Sequence, residues 1–357
     1  MNELKNATDK KNLPIGVKIL IGVLAFVLLC GIAVFAFVQS QLGKMNEAKP
    51  NTEVVTPADE TFEVDEEEEQ QVTVPVEELD PDEIDLHITS DVMKDKDIVN
   101  ILLIGQDRRS GEGRARSDSM IVATLNKKNK TIHLTSFMRD LYVELPGDYS
   151  GNRLNAAYQF GGMELLDETL KMNFGVQIDG NIEVDFSGFQ QCVDAVGGID
   201  LELNQDEADY LNRRGNWDVN NAGAGTWNLK AGMNHLDGEK ALAFSRVRGI
   251  GHADYERTQR QRRVLTEMFK KAKNSDISTM LTLVDQLFPL LTTDISKFDM
   301  LGYGVIVLGV DSADIASERI PIDGGFTSGR VRGMQVLVPD LEKNRQHLQE
   351  TLYGKTQ

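Results

Sequence analysis

Residues 96–139 read KDIVNILLIGQDRRSGEGRARSDSMIVATLNKKNKTIHLTSFMR, and this stretch decides the fold. Residues 99–104 form a short apolar run closed by Gly105, the pattern of a buried strand that delivers a functional loop. Residues 120–125 and 131–136 are two more strand-like runs, joined through polar residues 126–130 in a hairpin-like connection. Further along, 163–172 has a helical pattern, 182–185 a strand pattern, and 189–196 a helical one before Gly197-Gly198. Residues 241–248 read as a strand, 255–273 as a long basic helix and 280–291 as another helix. A strand over 315–322 and a helix within 336–352 close the chain. Strands and helices therefore alternate, and the expected class is α/β with a mixed central β-sheet flanked by helices.

The chain has 357 residues, 41% of them hydrophobic, enough for a sizeable core. Its net charge of −18 is unevenly spread. Residues 47–95 hold 18 Asp and Glu against only Lys49 and Lys94, so the rest of the chain is nearly neutral and its arginine clusters stand out. This balance excludes a protein that coats a nucleic-acid backbone. Cys30 and Cys192 are too few for a disulfide framework, and His87, His133, His235, His252 and His347 are scattered singly, without zinc-ligand spacing.

Residues 19–38, ILIGVLAFVLLCGIAVFAFV, carry no charge over a length that matches a bilayer's hydrocarbon core of about 30 Å. They read as one transmembrane helix. Lys5, Lys10, Lys11 and Lys18 precede it, which keeps residues 1–18 cytoplasmic and places everything after Val38 outside. Residues 39–95, rich in Glu, Asp, Pro and Thr, read as an acidic disordered linker to a folded domain at 96–357.

Asp107 and Asp118 flank a loop that contains Arg108, Arg109, Arg114 and Arg116. Carboxylates bind hard cations and arginines bind phosphate oxygens in planar pairs, so the loop suits a Mg²⁺-pyrophosphate ligand, or else a self-neutralising charged surface. Arg246 and Arg248, two apart on the expected strand, point to one face, where a pyrophosphate would relieve their repulsion; a solvated edge strand is the alternative. Asp254, Arg257 and Gln261 fall on one stripe of the basic helix, whereas Arg260, Arg262 and Arg263 point elsewhere, toward solvent. Arg139 ends a strand, as a site residue would, or as the partner of Asp140 in an ion pair. No Gly-x-Ser-x-Gly elbow or Cys/His pair supports an acyl-enzyme.

In order, NILLIGQD, RSDSM, LTSFMRDLYVELPG, LNAAYQFGG, VDFSGFQQCVDAVGGIDLEL, NHLDGEKALAFSRVRG and DYERTQRQ resemble the motifs of the LytR-CpsA-Psr phosphotransferases, and the resemblance runs from Lys96 past VLVPDLEKN. It implies that Asp107 and Asp118 hold Mg²⁺, that Arg139, Arg246 and Arg248 hold a pyrophosphate, and that Arg257 and Gln261 complete the head-group site, with Arg109 and Arg116 as further candidates. Phe137-Met138 departs from the Ile-Pro common in the family, and the GIGH segment before Asp254 is short; neither removes a charged residue.

The implied reaction moves a teichoic acid or capsular polysaccharide from a polyprenyl-pyrophosphate carrier in the membrane to a peptidoglycan hydroxyl, releasing polyprenyl phosphate. Asp254 is the candidate general base, and the helix over 281–291 with the sheet could line a tunnel for the prenyl tail. The rivals are a lipid pyrophosphate hydrolase that uses water, a transcription attenuator, and a wall-polymer binder without turnover.

Overall fold

The computed structural model describes residues 40, 43–44, 46–48, 54–62, 77–86, 91–106, 114–214, 227–248, 250, 253–275, 277–311 and 314–354. The expected membrane span at 19–38, together with Asp107, Arg109 and His252, lies outside these residues. The chain divides into units Met1–Lys44 and Met45–Gln357, and every element below belongs to the second.

Its centre is a seven-stranded mixed sheet. The strands are β1 (Asn46–Glu47), β2 (Ile98–Gln106), β3 (Ser117–Asn126), β4 (Thr131–Phe137), β7 (Gly180–Asp185), β10 (Thr292–Thr293) and β11 (Ile315–Ile320), in the order β1-β10-β7-β2-β3-β4-β11. Strand β2 runs antiparallel to β3 and parallel to β7, and β4 runs antiparallel to β3 and parallel to β11. The β3–β4 connection is tight because the Asn126 carboxamide accepts from the backbone N–H of Lys128 and Asn129, at 3.1 and 2.8 Å.

Alternation along β2 and β3 feeds two cores. Leu102, Ile104, Met120 and Val122 face α1 (Leu154–Phe174) and α8 (Leu341–Leu352). Ile101, Ile121 and Leu125 face α5 (Ala253–Lys273) and α7 (Lys297–Leu308). The expected mixed sheet between helices is thus what the chain forms. A third cluster joins α2 (Phe186–Ala195), β8 (Ile199–Leu203), α3 (Gln205–Arg214), β9 (Gly232–Leu236) and α4 (Gly238–Ser245). Two short strands, β5 (Tyr142–Val143) and β6 (Asn152–Arg153), pair antiparallel, and between β11 and α8 the hairpin β12–β13 (Phe326–Val331, Met334–Pro339) packs on Tyr142. Helix α6 (Ile277–Leu287) and a turn of 3-10 helix, Phe288–Leu290, occupy the expected helix at 280–291.

Three expectations need correction. Residues 241–248 are not a strand. Asp237 caps α4 by accepting from Lys240 N–H at 3.0 Å, the helix formers Ala241, Leu242 and Ala243 follow without a β-branched residue, and Arg246 is the C-cap. Arg246 and Arg248 therefore do not share a strand face.

Arg260 and Arg262 are not solvated. Arg260 is 2% exposed and donates to Glu207 at 3.0 Å, to the Val247 carbonyl at 3.1 Å and to Glu256 at 2.8 Å. Arg262 donates to the Ser136 hydroxyl at 2.7 Å, and Arg263 to Glu207 at 3.0 Å. Helix α5 is packed on both the sheet and the third cluster, so its arginines must find acceptors inside the protein.

The acidic stretch is not an extended spacer where it is described. Phe62, Leu79, Ile84 and Leu86 cover Tyr142, Val331 and Val336. Glu60 accepts from Ser150, and Leu79 N–H donates to the Arg330 carbonyl while Arg330 N–H donates to the Glu77 carbonyl, which extends the β12–β13 edge. Apolar residues spaced among the acids are what allow it to fold back.

Arg260→Ala separates the buried from the solvated reading. With Glu207 at 3% exposure, loss of Arg260 is expected to destabilise the domain by about 3 kcal/mol, near the low end for a broken buried pair because Arg263 stays on Glu207. Denaturant unfolding measures it, and a change within about 0.5 kcal/mol would restore the solvated reading.

Candidate functional site

Five charged side chains from four parts of the chain meet at the end of the central sheet. Asp118 lies near the start of β3, Arg139 just past the end of β4, Arg248 just past α4, and Asp254 and Arg257 on the first turns of α5. Arg139, Arg248 and Arg257 place guanidinium nitrogens 3.3, 3.8 and 3.8 Å from Asp118 Oδ1. The same three arginines approach Asp254 at 3.9, 3.8 and 3.1 Å. Arg257 also donates to the Asp118 backbone carbonyl at 3.2 Å. Asp254, Arg257 and Gln261 do form one stripe, and Gln261 continues it by accepting from the Ser119 hydroxyl at 3.1 Å.

Arg246 takes a different position, its guanidinium 4.1 Å over the Phe186 ring at the start of α2, yet its charge still acts on Asp118. Arg116 turns to Gln159 of α1, 2.9 Å from its Oε1. Arg114 reaches the Gln159 carbonyl at 3.4 Å and sits 6.0 Å from the Tyr158 ring. It packs against Gly162, whose φ of +65° interrupts α1 and where a Cβ would come within 3.3 Å of the guanidinium.

Sequence reasoning named Asp140 as a partner of Arg139 but missed the charges behind it. Asp140, buried, lies 3.5 Å from Arg139 Nε and 3.4 Å from Arg153, itself 1% exposed. So Arg139 is both a strand-end partner of Asp140 and a member of the cluster. Behind β2, Gln106 and Tyr158 both donate to Glu183, fixing the strand end from which Asp107 follows; the register shift at Gly105/Gln106 bends that end. The adjacency of Arg139 and Asp140 was visible in the sequence, but Arg153 and Glu183 sit on elements whose meeting only tertiary packing reveals.

Burial alone would raise the Asp118 carboxyl, but Arg257, Arg139, Arg248 and Arg246 together outweigh it and hold the pKa below the ordinary 3.8. Asp254 is likewise raised by burial and lowered further by Arg257, Arg139 and Arg248, for a net decrease. Both acids are therefore ionised at neutral pH. Three guanidiniums against two carboxylates still leave the cluster net positive, and the buried Arg257 Nε has no aligned hydrogen-bond acceptor. Donor capacity directed at a cluster with surplus positive charge suits an anionic ligand.

A divalent cation fits this donor set only in one form. Asp118 offers a hard, ionised oxygen, and Mg²⁺ commonly takes one or two carboxylates and completes its shell with water and phosphate oxygens. Among the described residues no group of three or more His, Cys, Asp or Glu could hold a metal by itself. The fit is thus to Mg²⁺ shared with a phosphate ligand, with Asp107 as the other expected carboxylate. Cys192 is buried with its thiol pushed up to about 11, so it offers no nucleophile. Helix α6 packs beside α2, whose Phe186 supports Arg246, so the apolar helix expected near a prenyl chain flanks the arginine side of the site.

Comparison with known proteins bears on this geometry. Residues 55–352 match the model of the LytR_cpsA_psr family. The chain is 36% identical over 207 residues to a polyisoprenyl-teichoic acid–peptidoglycan teichoic acid transferase TagU of Bacillus mycoides, a match covering 57% of this chain and 63% of that protein. It is 30% identical over 273 residues to the protein of the same name from Enterococcus faecalis, covering 74% of this chain and 82% of that one. The chain thus spans less than two thirds of the Bacillus mycoides relative. Among solved structures, Bacillus subtilis TagV is 30% identical with a TM-score of 0.59, covering 74% of this chain and all of that one. TagT bound to LI-WTA is 25% identical with a TM-score of 0.58, covering 78% and 95%.

The lowered carboxyls carry a pH dependence of definite sign. A carboxyl with a folded pKa below its unfolded value contributes stability that is present above about pH 4 and lost as pH falls through the folded value. Carbon NMR of Asp118 and Asp254 should give midpoints below 3.8, and Arg257→Met should raise both. Midpoints unmoved by that substitution would remove Arg257 from the cluster.

Proposed function

Since the chain belongs to the LytR-CpsA-Psr family, we propose that it transfers a glycopolymer, a teichoic acid or capsular polysaccharide, from a polyprenyl-pyrophosphate carrier to peptidoglycan with release of polyprenyl phosphate. The observation that carries this reading is the convergence of Arg139, Arg248 and Arg257 on Asp118 and Asp254. The names of the relatives support the substrate class.

In this reading the pyrophosphate enters among the three arginines and displaces their weaker contacts to the two carboxylates. Arg246, held on Phe186, adds positive charge from the α2 side, and Gln261 and Arg116 border the head group, with Arg109 a further candidate on the preceding loop. A sugar hydroxyl of peptidoglycan attacks the sugar-proximal phosphorus. The bond from that phosphorus to the bridging oxygen breaks, and polyprenyl phosphate leaves with the bonding electrons. Charge that accumulates on the phosphoryl oxygens is met by donors already oriented by buried acids, which is where such sites gain most of their rate. Mg²⁺ on Asp107 and Asp118 would neutralise further phosphate charge.

Asp254 takes the acceptor proton. In the unliganded cluster it is a weak base because three arginines hold its pKa low, but a bound anion offsets their field and raises its proton affinity. A loose transition state also delays the proton transfer, so a carboxylate suffices.

The remaining division of the chain is part of the same proposal. Residues 1–18 stay in the cytoplasm, 19–38 span the membrane, and the catalytic domain lies outside with its carrier lipid beside it. No helix among the described residues is long and apolar enough to cross a membrane, and 19–38 lie outside those residues.

The decisive assay is release of polyprenyl phosphate from a lipid-pyrophosphate donor with peptidoglycan as acceptor. Arg248→Lys keeps the charge and loses the planar donor pair, so kcat should fall about 10²-fold while donor affinity changes less. Wild-type turnover in Arg248→Lys would take this residue out of the site. Product that forms equally well without peptidoglycan would make the protein a hydrolase.

A further inference from the structure

Helix α7 is apolar on both sides. Met300, Tyr303, Ile306 and Val307 pack into the core beneath the sheet. On the opposite side Phe298, Val305 and Leu308 are 81, 72 and 51% exposed, within a face about 100° wide. No charged residue occurs from Met300 to Val310. A surface helix of a soluble protein normally carries its charges there. Several large apolar side chains gathered on one exposed helix face indicate a surface that something covers.

The tether indicates what covers it. Strand β1 lies beside β10 at the edge of the sheet, and Glu47 of β1 is 3.5 Å from Lys297 at the first turn of α7. Only seven residues separate Val38, the end of the apolar run, from Asn46. Fully extended, the eight Cα–Cα steps reach about 30 Å, which keeps α7 within reach of the bilayer. The charges near the face stand at its ends and are mixed in sign: Lys297 and Asp299 in the first turn, and Lys273 of α5, which donates to the Val310 carbonyl, at the other end. Large apolar side chains along one exposed helix face, with charge confined to its ends, suit a helix lying in a membrane interface.

We infer that the outer face of α7 rests on the outer surface of a lipid bilayer, with Phe298, Val305 and Leu308 in the interface. The inference rests on residues 19–38 being a membrane span. It gives the domain a fixed orientation on the membrane rather than a free swing on its tether.

The test uses the full chain in vesicles of phosphatidylglycerol and phosphatidylethanolamine, in a Cys30→Ala background, with a polarity-sensitive fluorophore on Val305→Cys. Leu308→Cys repeats it on the same face, and Met233→Cys, exposed by 70% on β9, serves as the water-facing control. Labels at 305 and 308 should be blue-shifted and lose fluorescence when doxyl-labelled lipid is included; the label at 233 should do neither. Water-like spectra at 305 and 308 in a chain that resists carbonate extraction would overturn the inference and leave the span standing. A chain that carbonate extracts would remove the span and the inference with it. A blue shift insensitive to doxyl lipid and lost on dilution of the protein among vesicles would assign the face to a second copy, and also overturn the inference.

Discussion

The structure depends on one electrostatic constraint: five charged groups are brought together at the edge of the core, where none can be left without a counter-charge. Unpaired, a buried guanidinium or carboxylate costs several kcal/mol. Arg139 and Arg257 are 6 and 3% exposed, and what makes them tolerable is that Arg257 touches two acids and Arg139 three. The acids in turn come from different elements, Asp118 from β3 and Asp254 from α5, so the ion network also fixes helix to sheet. The same arrangement leaves positive charge in excess. A site built to stabilise the protein alone would tend toward neutrality, whereas the charge balance of this one leaves room for an anion.

The supporting layer explains how the network holds its shape. Arg139 cannot swing away, because Asp140 holds its Nε side and is itself held by Arg153. The N-terminal half of α1 grips the loop through Gln159, and the kink at Gly162 makes room for Arg114. Along α5, Arg260 and Arg263 converge on Glu207 of α3, which ties the arginine-bearing helix to the third cluster. Folding and site geometry therefore share residues, and substitutions at Glu207 or Arg153 should disturb ligand binding without contacting a ligand.

Much of this was legible in the chain. The apolar run before Gly105, the hairpin around residues 126–130 and the stripe of Asp254, Arg257 and Gln261 follow from periodicity, and each has its expected form. The segment 241–248 misled because Phe244, Arg246 and Arg248 alternate as a strand would, while the cap at Asp237 lies outside the alternating window. Arg260 and Arg262 misled for another reason: charge predicts solvent on an isolated helix, but α5 is packed on two sides. The acidic stretch looked unfoldable by composition, since composition does not register that Phe62, Leu79, Ile84 and Leu86 are spaced to meet a waiting apolar surface. Arg246 and Arg248 were placed in the site through the wrong secondary structure, and Arg248 reaches Asp118 and Asp254 because the helix ends where it does.

The central claim is that the arginine cluster is completed by a pyrophosphate. A crystal structure of the protein with a polyprenyl pyrophosphate tests it most directly. Phosphate oxygens are expected within about 2.7–3.2 Å of guanidinium nitrogens of Arg139, Arg248 and Arg257, with the contacts of Arg248 to Asp118 and Asp254 lengthened. A pyrophosphate bound elsewhere, with the five-residue network unchanged, would contradict it.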